Sequence, residues 1–213
     1  MTSAATNLAR SYLAKLEQEV PNFLTQIVKS LKEQHRLDVS KHEADHVCWR
    51  TESMAEYQDL VDALKKDPEC WTLLTESEIG GRPIATFALA QHPISSVETL
   101  HQVRVIEIPS PKEGSPYKSG LEHVEFVIGD GICEDPWNDK KNPNNIHQLT
   151  FEEFIARYPD LPWSRKAQNK AINPDISLKI DLPNYGRCSV KFHLMPLQEV
   201  IAVERKASES VKM

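Results

Sequence analysis

What the chain lacks bounds its reading first. Its four cysteines, Cys48, Cys70, Cys133 and Cys188, include no Cys-x-x-Cys pair, so neither a zinc ribbon nor a redox dithiol is suggested. Positive charge is not in excess. The 25 Lys and Arg against 31 Asp and Glu leave a net charge of -6, which argues against a nucleic-acid or membrane-surface partner. No run approaches the roughly 18 apolar residues of a membrane span. The opening residues have none of the charged start, apolar run and small-residue cleavage site of a secretory signal. A reducing cytoplasm is the expected setting, and small molecules or proteins the expected partners. What is present, 40% hydrophobic residues in 213, suffices for the core of one large domain or two small ones.

The most informative stretch is Gly120-Leu121-Glu122-His123-Val124-Glu125-Phe126-Val127-Ile128. Its alternation and its Val, Phe and Ile content predict a strand buried on one face. His123 and Glu125 share a side with Leu121 and Val127, while Glu122 and Val124 point the other way. Such a polar pair must be solvated in a cleft, paired, or bound to a metal.

Residues 3–36 read as two helices. Ser3 caps the first, and Pro21 opens the second. Strands begin after residue 44 with Val47-Cys48-Trp49-Arg50-Thr51, where Cys48 reads as a small buried hydrophobe. Ser53 caps a helix whose inner face is Tyr57, Leu60, Val61 and Leu64. Strands are predicted over Trp71–Glu76, Arg82–Ala90 and Gln102–Ile108, with Gly80-Gly81 at the first turn. Pro109, Pro111, Gly114 and Pro116 mark a linker over 109–119. After the strand at 120–128 comes a polar loop, Gly129 to Asn145. A helix opened by the capping box Thr150-Phe151-Glu152-Glu153 follows, then strands near 165–171, 176–181 and 188–194. Pro196 to Glu204 fits a helix or a strand.

Each half therefore reads as strand, helix, strand, strand, strand, which is an internal repeat. His46 in Asp45-His46-Val47 and His123 in Glu122-His123-Val124 lie in the two first strands. Glu107 in Val105-Ile106-Glu107-Ile108 and His193 in Lys191-Phe192-His193-Leu194 lie in the two last strands.

This order resembles the vicinal oxygen chelate superfamily, in which paired βαβββ modules form an open cup and hold one divalent metal through first and last strands. Within it the chain looks like the YecM family, with a similar helical N-terminal extension and a similar Asn173-Pro174-Asp175-Ile176-Ser177 segment. The resemblance implies an α+β fold: paired βαβββ modules in an open, cup-shaped mixed sheet with an N-terminal helical pair. The boundaries are a helical extension over 1–40, a domain over 41–204 and a tail over 205–213. Module one covers about 44–109 and module two about 120–195.

The implied metal ligands are His46, Glu107, His123 and His193. The family's lyases commonly place a glutamate where His193 stands. Three imidazoles and one carboxylate suit zinc, nickel, iron, cobalt or manganese better than magnesium or calcium. His46, Glu107 and His123 alone would make a two-His-one-carboxylate triad with open positions. Strand alternation puts Arg50 on the face of His46, Glu125 on that of His123, and Lys191 on that of His193. Arg50 and Lys191 would hold a carboxylate or phosphate of a small substrate, and Glu125 would act as general base. Otherwise all three are solvated rim residues or ion pairs. Lys166, Asn169 and Asn173 are further rim candidates.

The expected activity is that of a metal-dependent isomerase, lyase or dioxygenase acting on a small anionic substrate. The alternatives are a metal-free small-molecule-binding protein and a structural or partner-binding protein. A zinc protease is a fourth reading, because His42-Glu43-Ala44-Asp45-His46 matches His-Glu-x-x-His. That chemistry needs a helix, and the residues after His46 prefer a strand. His42 and Glu43 then read as a solvated approach to the strand, and His35, His92, His101 and His147 as surface residues.

Overall fold

The computed structural model describes residues 4–114, 117–128, 149–171 and 173–210. The polar loop from Gly129, Cys133, His147 and the Ser3 cap lie outside the described residues. The N-terminal stretch is one helix, α1 (Ala4–His35), that runs through Pro21, not two. Proline within a helix costs about 3 kcal/mol, because it removes an N–H and crowds the preceding turn. Leu16, Val20, Phe23, Leu24, Ile27 and Leu31 lie on both sides of Pro21 and are fully buried. At roughly 1.5–3 kcal/mol each, their burial outweighs the break.

Strand β1 (Glu43–Arg50) leads to α2 (Met54–Lys65), where the Ser53 side chain accepts a hydrogen bond from Glu56 N. Tyr57, Leu60, Val61 and Leu64 of α2 are buried, as its spacing predicts. β2 (Trp71–Glu78) and β3 (Pro83–Leu89) follow. Gly80 and Gly81 between them take φ of 62° and 79°, a conformation that suits glycine. The strand predicted over Gln102–Ile108 divides at Arg104. β4 (Ile94–Ser95) and β5 (Gln102–Val103) form a small hairpin, and β6 (Val105–Pro109) joins the main sheet.

The second half repeats the plan. β7 (Gly120–Val127) precedes α3 (Phe151–Arg157), whose Thr150–Glu153 capping box is formed. β8 (Ser164–Ala167), β9 (Asp175–Leu182) and β10 (Gly186–His193) come next. The segment after Pro196 is a helix, α4 (Leu197–Ser210).

Eight strands form one mixed sheet in the order β2-β3-β6-β1-β7-β10-β9-β8. In each half the first strand is central and the last lies parallel beside it, β1 with β6 and β7 with β10. β1 and β7 meet antiparallel in the middle. These are the paired βαβββ modules of the predicted α+β fold. Val47 and Trp49 of β1, Val124 and Phe126 of β7, and Val190 and Phe192 of β10 alternate onto the core side and are buried. Trp49 meets Tyr12 of α1, and Phe192 meets Phe154 of α3. By alternation His46, Cys48, His123, Glu125 and Lys191 face the other side.

Candidate metal centre

The β1–β7 pair carries two irregularities, and both shape the site. His46 pairs with Glu125 and Ala44 with Phe126, which makes Asp45 the extra residue of a bulge in β1. Cys48 pairs with His123 and Trp49 with Leu121, which makes Glu122 the extra residue of a bulge in β7. A bulge turns the extra residue out of strict alternation. Asp45 Oδ2 consequently lies 2.6 Å from His46 Nδ1, and Glu122 Oε2 lies 2.9 Å from His123 Nδ1. The prediction that Glu122 points away from His123 is corrected by this bulge. A carboxylate can only accept, so each Nδ1–H donates and each Nε2 is left to face the cup.

Among the described residues, three groups of side chains bring potential ligand atoms within 4.8 Å of one another: His46–Glu107–His123, Asp45–His46–His193 and Cys48–Glu122–His123. The first fits a metal best. Its His46 Nε2 is buried without a hydrogen-bond partner, and His123 Nε2 stands 3.4 Å from Glu107 Oε2. In the second, Asp45 already accepts from His46 Nδ1 and from Leu197 N, the latter at 3.1 Å to Oδ2. In the third, burial pushes the Cys48 thiol up to about 11, so it keeps its proton and is a poor ligand.

Glu125 closes the first group. Its Oε1 lies 3.4 Å from His46 Nε2 and 3.2 Å from His123 Nε2. Lys191 Nζ sits 2.5 Å from the same oxygen and 3.2 Å from His123 Nε2. The carboxylates make the pocket draw positive charge. Burial opposes a charged His46 ring, yet Glu125 and Asp45 raise it to about 9. Burial likewise opposes a charged Glu107, yet His123, Lys191 and His46 hold it at about 2. A divalent cation would supply that charge in exchange for protons.

Arg50 stands at the edge of the group. Its Nε is 3.1 Å from Glu122 Oε2, and its guanidinium carbon lies 4.0 Å from the centre of the Tyr117 ring. His193 is not brought to Glu107 and His123. It is fully buried, with Nδ1 3.1 Å from Asn173 Oδ1 and Nε2 3.4 Å from Asp45 Oδ2. Lys166 and Asn169 are exposed, away from these contacts, and Asn173 supports His193.

Register also revises which residues correspond. Glu107 pairs with Cys48, two residues past His46. The residue two past His123 is Glu125, and it pairs with Lys191. The counterpart of Glu107 is therefore Lys191, and His193 stands two residues further along. Glu107 and His193 share the last strands but not the same register position.

Two histidine readings are corrected as well. His42 is buried, with its ring 5.4 Å from that of Phe154, and residues 43–50 form a strand, so the His42-Glu43-x-x-His46 helix of a zinc protease is not formed. His101 is buried and paired with Val39 O at 3.1 Å, because the β4–β5 hairpin folds it inward. Cys48 is buried and free, as predicted.

The profile of the YecM protein family matches residues 12–204. The chain belongs to the YecM family. The YecM protein of Escherichia coli strain K12 is 26% identical over 194 residues, covering 89% of this chain and 95% of that protein. A solved structure titled "Structural Genomics, Protein EC4020" matches with a TM-score of 0.62 and 24% identity, covering 90% of this chain and 92% of its own. A methylmalonyl-CoA epimerase structure matches at a TM-score of 0.40 and 12% identity, over 70% of this chain and 93% of its own. Among the described residues of this YecM-family protein, no helix is long and apolar enough to cross a membrane.

Proposed function

We propose that this YecM-family protein is a cytoplasmic metal-dependent enzyme whose catalytic unit spans residues 41–204. Its metal would be a divalent zinc, nickel, iron, cobalt or manganese ion held by His46, Glu107 and His123. Its substrate would be a small anionic molecule with two neighbouring oxygens, undergoing isomerase, lyase or dioxygenase chemistry. The observation that carries this reading is the meeting of His46, Glu107 and His123 within 4.8 Å, with His46 Nε2 buried, free of any hydrogen bond and turned toward Glu125 at 3.4 Å. A divalent ion there would take the place of the proton that Glu125 and Asp45 hold on the His46 ring.

When bound, such a metal would polarise substrate oxygens as a Lewis acid. The chain's own residues do the rest. Asp45 and Glu122 fix the two imidazoles. Glu125 is kept ionised against burial by Lys191 and His46, and its place beside both imidazoles makes it the base once a substrate anion draws Lys191 away. Arg50, supported by Glu122 and stacked on Tyr117, offers its outer guanidinium nitrogens to a substrate anion.

The test is metal analysis of purified wild type and His123→Ala. About one equivalent in the wild type and a large loss in the variant support the reading, and negligible metal in both overturns it. The contact of Lys191 Nζ with Glu125 and His123 favours one second reading, a metal-free binding protein in which the ammonium is the resident cation. Thermal stabilisation of metal-free protein by a small carboxylate, with none by metals, would support it.

A further inference from the structure

The two halves of the sheet match strand for strand, and at one position the match reverses charge. Glu107 faces the cup from β6 opposite Cys48. In the same place on β10, opposite Glu125, stands Lys191. The two Nε2-presenting histidines and their bulged acids are kept in both halves. A carboxylate in one half is thus replaced by an ammonium in the other.

The ammonium does not point away. It lies 2.5 Å from Glu125 Oε1 and 3.2 Å from His123 Nε2. Nδ1 of His123 is spent as a donor to Glu122, and Nε2 faces Glu107 at 3.4 Å and Glu125 at 3.2 Å. The Lys191 ammonium stands against the same nitrogen at 3.2 Å. This is the nitrogen that a metal at His46, Glu107 and His123 would take in exchange for its proton.

We infer that Lys191 competes with the metal for His123 Nε2 and keeps a fourth protein ligand out of the centre. The centre is then a three-ligand one, with its remaining places reserved for a small anion that draws the displaced ammonium. The inference rests on the metal reading above. It also assigns the anion's position, beside Lys191 and opposite Glu107. A closed set of two histidines and two glutamates would leave fewer open positions and no cation to meet a carboxylate.

The experiment titrates Zn2+ into metal-free full-length wild type, Lys191→Gln, Lys191→Glu and His123→Ala by calorimetry. Lys191→Gln removes the competitor without adding a ligand and should tighten binding by about tenfold. Lys191→Glu supplies the carboxylate that register aligns with Glu107 and should tighten it further, by about a hundredfold. Co2+ absorption gives the second readout, with acetate as the probe anion. Acetate should shift the wild-type spectrum and leave that of Lys191→Glu nearly unchanged.

The outcomes separate the two claims. Zn2+ binding in wild type that is equal or weaker in both variants overturns the inference and leaves the metal reading standing. An acetate shift equal in wild type and Lys191→Glu also overturns it. Binding in none of the proteins overturns the metal reading itself, and the inference with it. Binding that appears only once Lys191 is replaced upholds the competition in its strongest form. Circular dichroism of Lys191→Gln and Lys191→Glu beside wild type guards against a folding defect in either variant.

Discussion

Asp45 stands on a bulge immediately before His46 and accepts its Nδ1–H at 2.6 Å. Glu122 does the same for His123 at 2.9 Å. The centre is thus repeated to its outer layer. Carboxylate partners of ligating histidines typically account for about 10–100-fold in metal affinity. Asp45→Asn and Glu122→Gln should each weaken Zn2+ binding by about that factor while keeping the fold. In Asp45→Asn the retained oxygen still accepts from Leu197 N. Calorimetric affinities equal to wild type would remove both acids from the centre.

A second outcome concerns pH. Burial, with Asp45 and Glu199, pushes the Glu43 carboxyl up to about 8. The folded protein then holds this proton more tightly than the unfolded chain, whose glutamates titrate near 4.3. Its contribution to stability is full below that value and is lost as pH rises through about 8. Glu43→Gln should flatten the decline and be more stable by about 1–2 kcal/mol at alkaline pH, a figure reduced for partial exposure. Urea unfolding across the range measures it. Parallel curves for the two proteins would refute the shift.

Much of this was legible in the sequence, for physical reasons that also set the limit. The repeat could be read because strand alternation and the caps at Ser53 and Thr150 are local. The face shared by His123 and Glu125 followed from the two-residue period of a strand. The partners of the histidines did not, because Asp45 and Glu122 reach Nδ1 only through bulges that break that period. Only the recurrence of an acid before each first-strand histidine, Asp45-His46 and Glu122-His123, signalled them. The choice between Lys191 and His193 needed ladder register, which depends on pairing across the sheet. Pro21 misled because its local rule yields to tertiary burial.

His193 gives a third outcome. Burial lowers its pKa despite Asp45, so the ring is neutral and has one N–H. Asn173 Oδ1 can only accept, so the Nδ1–H donates to it at 3.1 Å, and Nε2 lies 3.4 Å from Asp45 Oδ2. His193→Ala should cost about 2–4 kcal/mol from a lost buried network and a cavity. The metal-to-protein ratio should stay at the wild-type value. Full stability with lost metal would instead place His193 among the ligands.

The last outcome isolates the helix. Pro21 lies within α1, so residue 21 has no N–H to give to the carbonyl of Glu17. The buried side chains on both sides hold the helix together without that bond. Pro21→Ala restores the donor and removes the ring from the preceding turn. Against this, it frees the unfolded chain by about 0.4–1 kcal/mol. The helix term, about 3 kcal/mol, is the larger, which leaves a net gain of about 2 kcal/mol. For a chain of this size that raises Tm by several degrees, at roughly 2–4 °C per kcal/mol. A scan of the full chain with Pro21→Ala beside wild type reads it directly. An unchanged or lower Tm would mean that the helix around Pro21 has adapted to the ring, and that packing sets its path there.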